Sequence, residues 1–329
     1  MQLIHTIARR TALLLLPGAM ASLAVTPMTH ASCGAAFCTI NTNWNMQGLA
    51  VEPGWRLDLR AEYIKQDQPR SGRHEVNAGQ IRRHHDEAET RNRNVLATLD
   101  YAVNNSMGFS VTAPVTDRSH LHIHNHRGAK IPETWDFTRL GDIRLQGRYQ
   151  WTLENQENPA PSNFGVNLGV KLPTGQIHVD NALGDRAERS LQPGSGTTDL
   201  LVGAYYGRLS SELASSLFIQ GQWQQPLNER EKFEPGHRIT ADLGYRYEAT
   251  DRIGLLAQIN TLYIERDSGS EAEPEDTGGE YIFLSPGVAF AVTPGAQIYG
   301  FVQAPLYQNV NGVQLTADWS VAAGVSVRF

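Results

Sequence analysis

The sequence predicts an all-β chain, an antiparallel transmembrane β-barrel of about twelve strands of the kind found in bacterial outer membranes. Three observations predict it. Apolar and polar side chains alternate over repeated segments of about ten to fourteen residues, the period expected of strands with one face to lipid and one to a wet lumen. No apolar run long enough for a helical span follows the first thirty residues. The chain also ends on an alternating segment that closes on Phe329.

The first 31 residues read as a signal peptide, with Arg9 and Arg10 before the apolar run and Thr29-His30-Ala31 as the cleavage site. Residues 32–52 then read as a periplasmic N-terminal segment, and 53–329 as the barrel. Cys33 and Cys38 are the two cysteines of the chain, and export places them in an oxidising compartment, so a small local disulfide is expected. A net charge of −6, with Lys and Arg dispersed, argues against a nucleic-acid partner.

Three segments carry the alternation most clearly. In 55–63, Trp55, Leu57, Leu59, Ala61 and Tyr63 oppose Arg56, Asp58, Arg60 and Glu62. In 142–152, Ile143, Leu145, Tyr149 and Trp151 oppose Asp142, Arg144, Gln146 and Arg148. In 238–248, Ile239, Leu243, Tyr245 and Tyr247 oppose Arg238, Asp242, Arg246 and Glu248. Charges repeated along one face are costly in a dry core, and a watery lumen accommodates them. Weaker versions at 94–103, 107–117, 163–172, 197–208, 214–225, 252–265, 280–292, 296–307 and 314–329 complete the set.

Short turns near 104–106, 209–211, 250–251 and 294–295 alternate with longer polar connections at 67–93, 118–139, 173–196, 226–235, 266–279 and 308–313. In such barrels the short turns face the periplasm and the long loops the exterior. The ten-residue connection 153–162 breaks that rule. Trp55, Tyr63, Trp151, Tyr263, Tyr281, Tyr307 and Trp319 sit at strand ends, as interfacial aromatic girdles require. The terminal strand carries Trp319, Val321, Ala323, Val325, Val327 and Phe329 on one face, and is the expected handle for outer-membrane assembly machinery.

The stretch 165–175, ending Lys171-Leu172-Pro173-Thr174-Gly175, followed by Arg189-Ser190-Leu191-Gln192-Pro193-Gly194-Ser195-Gly196-Thr197-Thr198-Asp199-Leu200 and the strand 202–207, resembles the outer-membrane family named for the MetA pathway of phenol degradation. The resemblance implies a barrel that passes small compounds, aromatic ones among them. Read physically, Pro173 ends strand pairing at the rim, Gly175 lets the chain turn, and Lys171 is a pore-rim charge or part of an element that only shapes a loop.

His120, His122, His124 and His126 recur at every second residue, and His84 and His85 precede them in the neighbouring external loop with Asp86 and Glu87. On an extended chain the four imidazoles share a face with alternate Cβ atoms about 6.5 to 7 Å apart, so adjacent pairs could bind zinc, copper or nickel, with His84, His85, Asp86 or Glu87 of the second loop completing the shell. The competing reading is a solvated loop whose histidines pair with carboxylates. No Gly-x-Ser-x-Gly element occurs and His178 and His237 stand apart, so no catalytic residues are expected.

The functional expectation is therefore a passive outer-membrane channel for a small solute, embedded in outer-membrane lipid. Its selectivity would be set by Arg56, Asp58, Arg60, Glu62, Asp142, Arg144, Arg148, Lys171, Arg238, Asp242, Arg246 and Glu248, with no cofactor unless the histidine run holds zinc, copper or nickel. The alternative is a surface metal-binding or scaffold protein for which the barrel is an anchor.

Overall fold

Alternation of this kind closes into a single sheet. The computed structural model describes residues 32–33, 39–44, 52–81, 86–126, 129–155, 158–210 and 214–329. In chain order the strands are β1 Ser32–Cys33, β2 Gly54–Gln66, β3 Gln68–Gly72, β4 His74–Glu75, β5 Asp86–Ala102, β6 Met107–His126, β7 Ala129–Leu140 and β8 Arg144–Asn155. They continue with β9 Asn158–Lys171, β10 Asp199–Ser210, β11 Ser215–Pro226, β12 Arg238–Glu248, β13 Ile253–Ile264, β14 Gly279–Thr293, β15 Ala296–Thr316 and β16 Ser320–Arg328.

Twelve of these form the wall: β2, β5, β6 and β8 through β16, each antiparallel to its neighbours, with β14 paired to β15. The ring closes where the last strand meets the first, Val325 opposite Leu59 and Val327 opposite Leu57. Closure removes both sheet edges, which a bilayer demands because it offers no partner to an exposed backbone amide. Every segment expected from alternation is present.

The two faces separate as the sequence pattern requires. Leu59, Val95, Phe109, Leu168, Ile219, Leu243, Val288 and Ile298 are exposed on the outer surface, while Asp58, Glu62, Arg148, Asn167, Asp242 and Gln258 are buried inside. Outward aromatic pairs lie near the strand ends: Trp55 with Tyr101 at 4.5 Å, Tyr149 with Trp151 at 4.9 Å, and Tyr63 with Trp319 at 5.8 Å. Tyr281 departs from the expected girdle. It is buried with Leu262, Ile264 and Val310, because the phase of β14 turns it inward with Ser285 and Ala289.

The boundaries differ most at the loop-bearing end. The expected loop 118–139 is instead the upper part of β6 paired with β7, and β5 starts at Asp86 rather than within 94–103. The expected loop 67–93 contains the small hairpin of β3 and β4. Residues 308–313 belong to β15, which runs on to Thr316 and pairs with β3 across a bulge between Val310 and Val313. Gly312 makes that bend with a φ of 56°, and a Cβ there would strike the Asp276 side chain. The strand expected from 314 accordingly begins at Ser320. At the other end, 153–162 is a hairpin with Asn155 opposite Asn158, so that connection is short like the rest.

Candidate functional site

The lumen is filled by side chains from the inward face of each strand and by part of the N-terminal segment. Residues 39–44 lie inside the barrel, not below it as the sequence suggested. Asn41 donates its backbone N–H to Gln258 Oε1 (3.0 Å), while Gln258 donates back to the Asn41 carbonyl (2.9 Å). Its side-chain amide reaches Gln220 at 2.7 Å and Asp242 at 3.2 Å. Arg60 donates to the Ile40 carbonyl and to Thr42 Oγ1, both at 2.9 Å.

Apolar packing adds to these bonds. Trp44, 1% exposed, lies 5.0 Å from the Tyr299 ring, and Ile40 joins Ile64, Leu256, Phe301 and Ala322 in one inward cluster. The indole N–H and the Tyr299 hydroxyl both donate to Asp58, at 3.2 and 2.8 Å. A buried indole with its N–H satisfied contributes area without a desolvation penalty, which is why one tryptophan can seat a polar segment. Further back, β1 pairs in parallel with Gln314–Leu315 near the end of β15. The expected signal peptide, Cys38 and the side chain of Cys33 lie outside the described residues, and the expected disulfide with them.

Two cavities flank this segment. One of about 270 Å³ is lined by 39–44 with Arg56, Asp58, Asp100, Asp242 and neighbouring amides. The other, of about 240 Å³, lies toward the long loops and is lined by Arg118, Asp142, Lys171, Arg189, Asp199 and Asp267 among others. Arg60, Arg144, Arg238, Thr112, Leu96 and Gln224 line both, so the cavities meet there. Six cationic side chains against three carboxylates give the loop-side cavity a positive balance among the described residues. Arg238 makes no hydrogen bond or ion pair among those residues, and Arg144 reaches only Gln224, at 3.4 Å.

Of the residues expected in the lumen, Asp58, Glu62, Asp142, Arg148, Lys171, Asp242 and Arg246 are buried, and Arg56, Arg60, Arg144 and Arg238 line the two cavities. Arg148 donates to Gln150 at 3.0 Å. Arg246 pairs with Glu248 near the short-turn end and covers the Trp44 ring at 5.9 Å. Glu62, 3% exposed, pairs with Arg60 at 2.9 Å.

Lys171 is no open rim charge. Its ammonium bridges Asp199 (2.8 Å) and Asp142 (3.3 Å) and donates to Ser195 Oγ, and it is buried with both carboxylates. Asp142 in turn accepts from the Ser195 amide (2.9 Å) and the Gly175 amide (3.0 Å), while Asp199 accepts from Thr197 Oγ1 (2.7 Å). The two halves of the family-like motif are thus one latch that folds 173–198 over the barrel mouth. Gly175 has no left-handed φ. It is needed for contact, since a Cβ would sit 2.6 Å from the Gly194 Cα. Gly175→Ala should therefore push the loop outward and lower stability by about 1–3 kcal/mol, as overpacking does, read as a shift in the urea unfolding midpoint of the reconstituted protein.

The histidine run is not a loop but part of β6. His120 and His122 point into the barrel, each 2% exposed, with rings 6.2 Å apart. Glu87, the cross-strand partner of His122, brings its carboxylate to them, and the ligand atoms of the three all lie within 4.8 Å of one another. His84 and His85 are outside the described residues, as are the side chains of His124 and His126. His178 pairs with Glu231 at 2.7 Å and His237 with Glu265 at 2.5 Å, both partly exposed. The bond from His178 holds the Glu231 carboxyl below its ordinary range.

Comparison with known proteins agrees with this architecture. The barrel is similar to an outer membrane channel from Pseudomonas putida F1, at 12% identity and a TM-score of 0.65, covering 88% of this chain and 100% of that one. It also matches the NanC porin at 10% identity and a TM-score of 0.46, over 83% of this chain and 100% of that one. No curated protein matches the chain in sequence. The model of the family described as "Putative MetA-pathway of phenol degradation" matches residues 102–329, from the end of β5 to the terminal Phe329, and the chain belongs to that family.

Proposed function

We propose that the protein is an outer-membrane channel for small solutes that favours anions and is narrowed by its own N-terminal segment. The observation that carries this is the junction at Arg60, Arg144 and Arg238, where the two cavities meet beside residues 39–44. Rings of like charge at a constriction raise the local concentration of the opposite ion and exclude its counterpart. The outer-membrane channel from Pseudomonas putida supports the reading through its fold. The solute remains defined by charge and size: an organic or inorganic anion small enough for cavities of about 240 and 270 Å³. The short turns then face the periplasm, and Phe329, exposed at the rim beside Trp55, is available to assembly machinery.

Reversal potentials of the full chain in planar bilayers under a KCl gradient test this. Chloride should carry most of the current. A cation-selective current would contradict the proposed selectivity, and a barrel with no current at all would favour the anchor reading.

A further inference from the structure

Among the described residues, the trio Glu87, His120 and His122 on β5 and β6 is the one group spaced to hold a metal ion. It joins two imidazoles and a carboxylate in one inward pocket at the loop end, above the outward Arg93–Asp117 ion pair that ends the apolar band on these strands. Residues separated by more than thirty positions meet there for a specific reason. The bulge between Glu87 and Glu89 shifts the register by one, so Glu87 faces His122 while Thr90 faces His120. Without that bulge the carboxylate would alternate to the outer surface.

The surroundings suit metal ligation. Thr90 Oγ1 lies 2.8 Å from His120 Nδ1, a contact that orients the ring as partners of metal-bound histidines do. The Arg118 guanidinium lies two residues before His120 on the same buried face of β6. Arg118 is itself held by Asn92 Oδ1 at 2.7 Å and by the Leu191 carbonyl. Trp135 packs 5.7 Å from the His120 ring and caps the site from β7.

We propose that Glu87, His120 and His122 form a divalent transition-metal site, zinc first, with a coordination position left for water or for Glu133, the cross-strand partner of His122 on β7. Two neutral imidazoles and one carboxylate carry a charge of −1, and three such ligands plus one open position are a common zinc arrangement. A tetrahedral site needs its donor atoms about 3.3 Å apart, given metal–ligand distances of about 2.0–2.1 Å, so the trio needs only a modest contraction. The bound ion would tie the protruding part of β5 to that of β6. The site is independent of the channel reading, since it requires no current.

The test is titration of zinc chloride into the full chain, refolded in detergent after chelator treatment and followed by calorimetry, with cobalt absorption as a second probe. Heat-modifiable migration in gels confirms that each variant is folded. Wild type should bind about one equivalent, and Glu87→Gln or His122→Asn should weaken binding by well over tenfold. Thr90→Val should weaken it by about tenfold, through the lost orientation of His120. His124→Ala with His126→Ala should leave affinity unchanged. Copper should bind at least as tightly as zinc if the site is of this class. Absence of zinc binding by folded wild type, or loss of binding in the His124/His126 variant with the His122 variant intact, would overturn the proposal.

Discussion

Replacing Lys171 by methionine should destabilise the barrel mouth by about 3–5 kcal/mol, the cost of leaving buried carboxylates without their cation. The ammonium is the counter-charge for Asp142 and Asp199 together, which are 9% and 1% exposed at their side chains. Removing it leaves two buried anions close together without their counter-charge, so the loop 173–198 should lift away from the barrel. The double variant Lys171→Met with Asp199→Asn should recover part of the loss, because it removes one orphaned charge along with its partner. Unfolding in urea, followed by tryptophan fluorescence and by protease cleavage within 173–198, reads both. A single variant that loses less than about 1 kcal/mol would place the Lys171 pair among solvent-screened ion pairs and contradict the latch.

The second large effect concerns selectivity. Arg144→Gln with Arg238→Gln removes two positive charges from the junction without removing the Arg60 bonds that seat residues 39–44. A unit charge about 8 Å from a permeating ion in a water-like medium of dielectric constant about 80 is worth about 0.5 kcal/mol, so two are worth about 1 kcal/mol. The chloride preference should fall about fivefold, and the effect should shrink as salt rises and the screening length shortens. Both should contribute, since Arg238 makes no ion pair within 4 Å among the described residues and Arg144 bonds only the neutral Gln224. An unchanged reversal potential would show that ions pass elsewhere or that the junction is shut.

The wall was legible because lipid enforces it. Wherever a strand crosses the apolar band, every second residue must be lipid-compatible, so Leu57, Leu59, Leu243 and Tyr245 announce their strands. Beyond the band both faces meet water, the period vanishes, and strands such as the upper part of β6 with β7, or residues 308–316 of β15, read as loops. The same blindness hid the carboxylate of the trio. Glu87 stands among polar residues with no pattern, and only the bulge turns it inward. His120 and His122 were legible as a run, but not that a carboxylate from β5 would meet them. Lys171 was visible as an inward charge, while its ties to Asp199 and Ser195 span 28 and 24 positions and depend on how a long loop folds back. Residues 39–44 carry no barrel signal at all. Two apolar residues, Ile40 and Trp44, in a polar stretch are enough to seat them, and the partners Asp58, Gln258 and Arg60 come from distant strands.

The central claim is that solute crosses through the lumen past the seated N-terminal segment. Single-channel conductance of the full chain, compared with a variant carrying Trp44→Ala and Asn41→Ala, tests it most directly. Both substitutions cut the ties to Asp58, Tyr299, Gln220 and Asp242 and leave the wall intact. The account expects a small, anion-favouring conductance for the full chain that rises severalfold and becomes noisier when the segment is unseated. Equal conductance in the two proteins, or none in either, would contradict it.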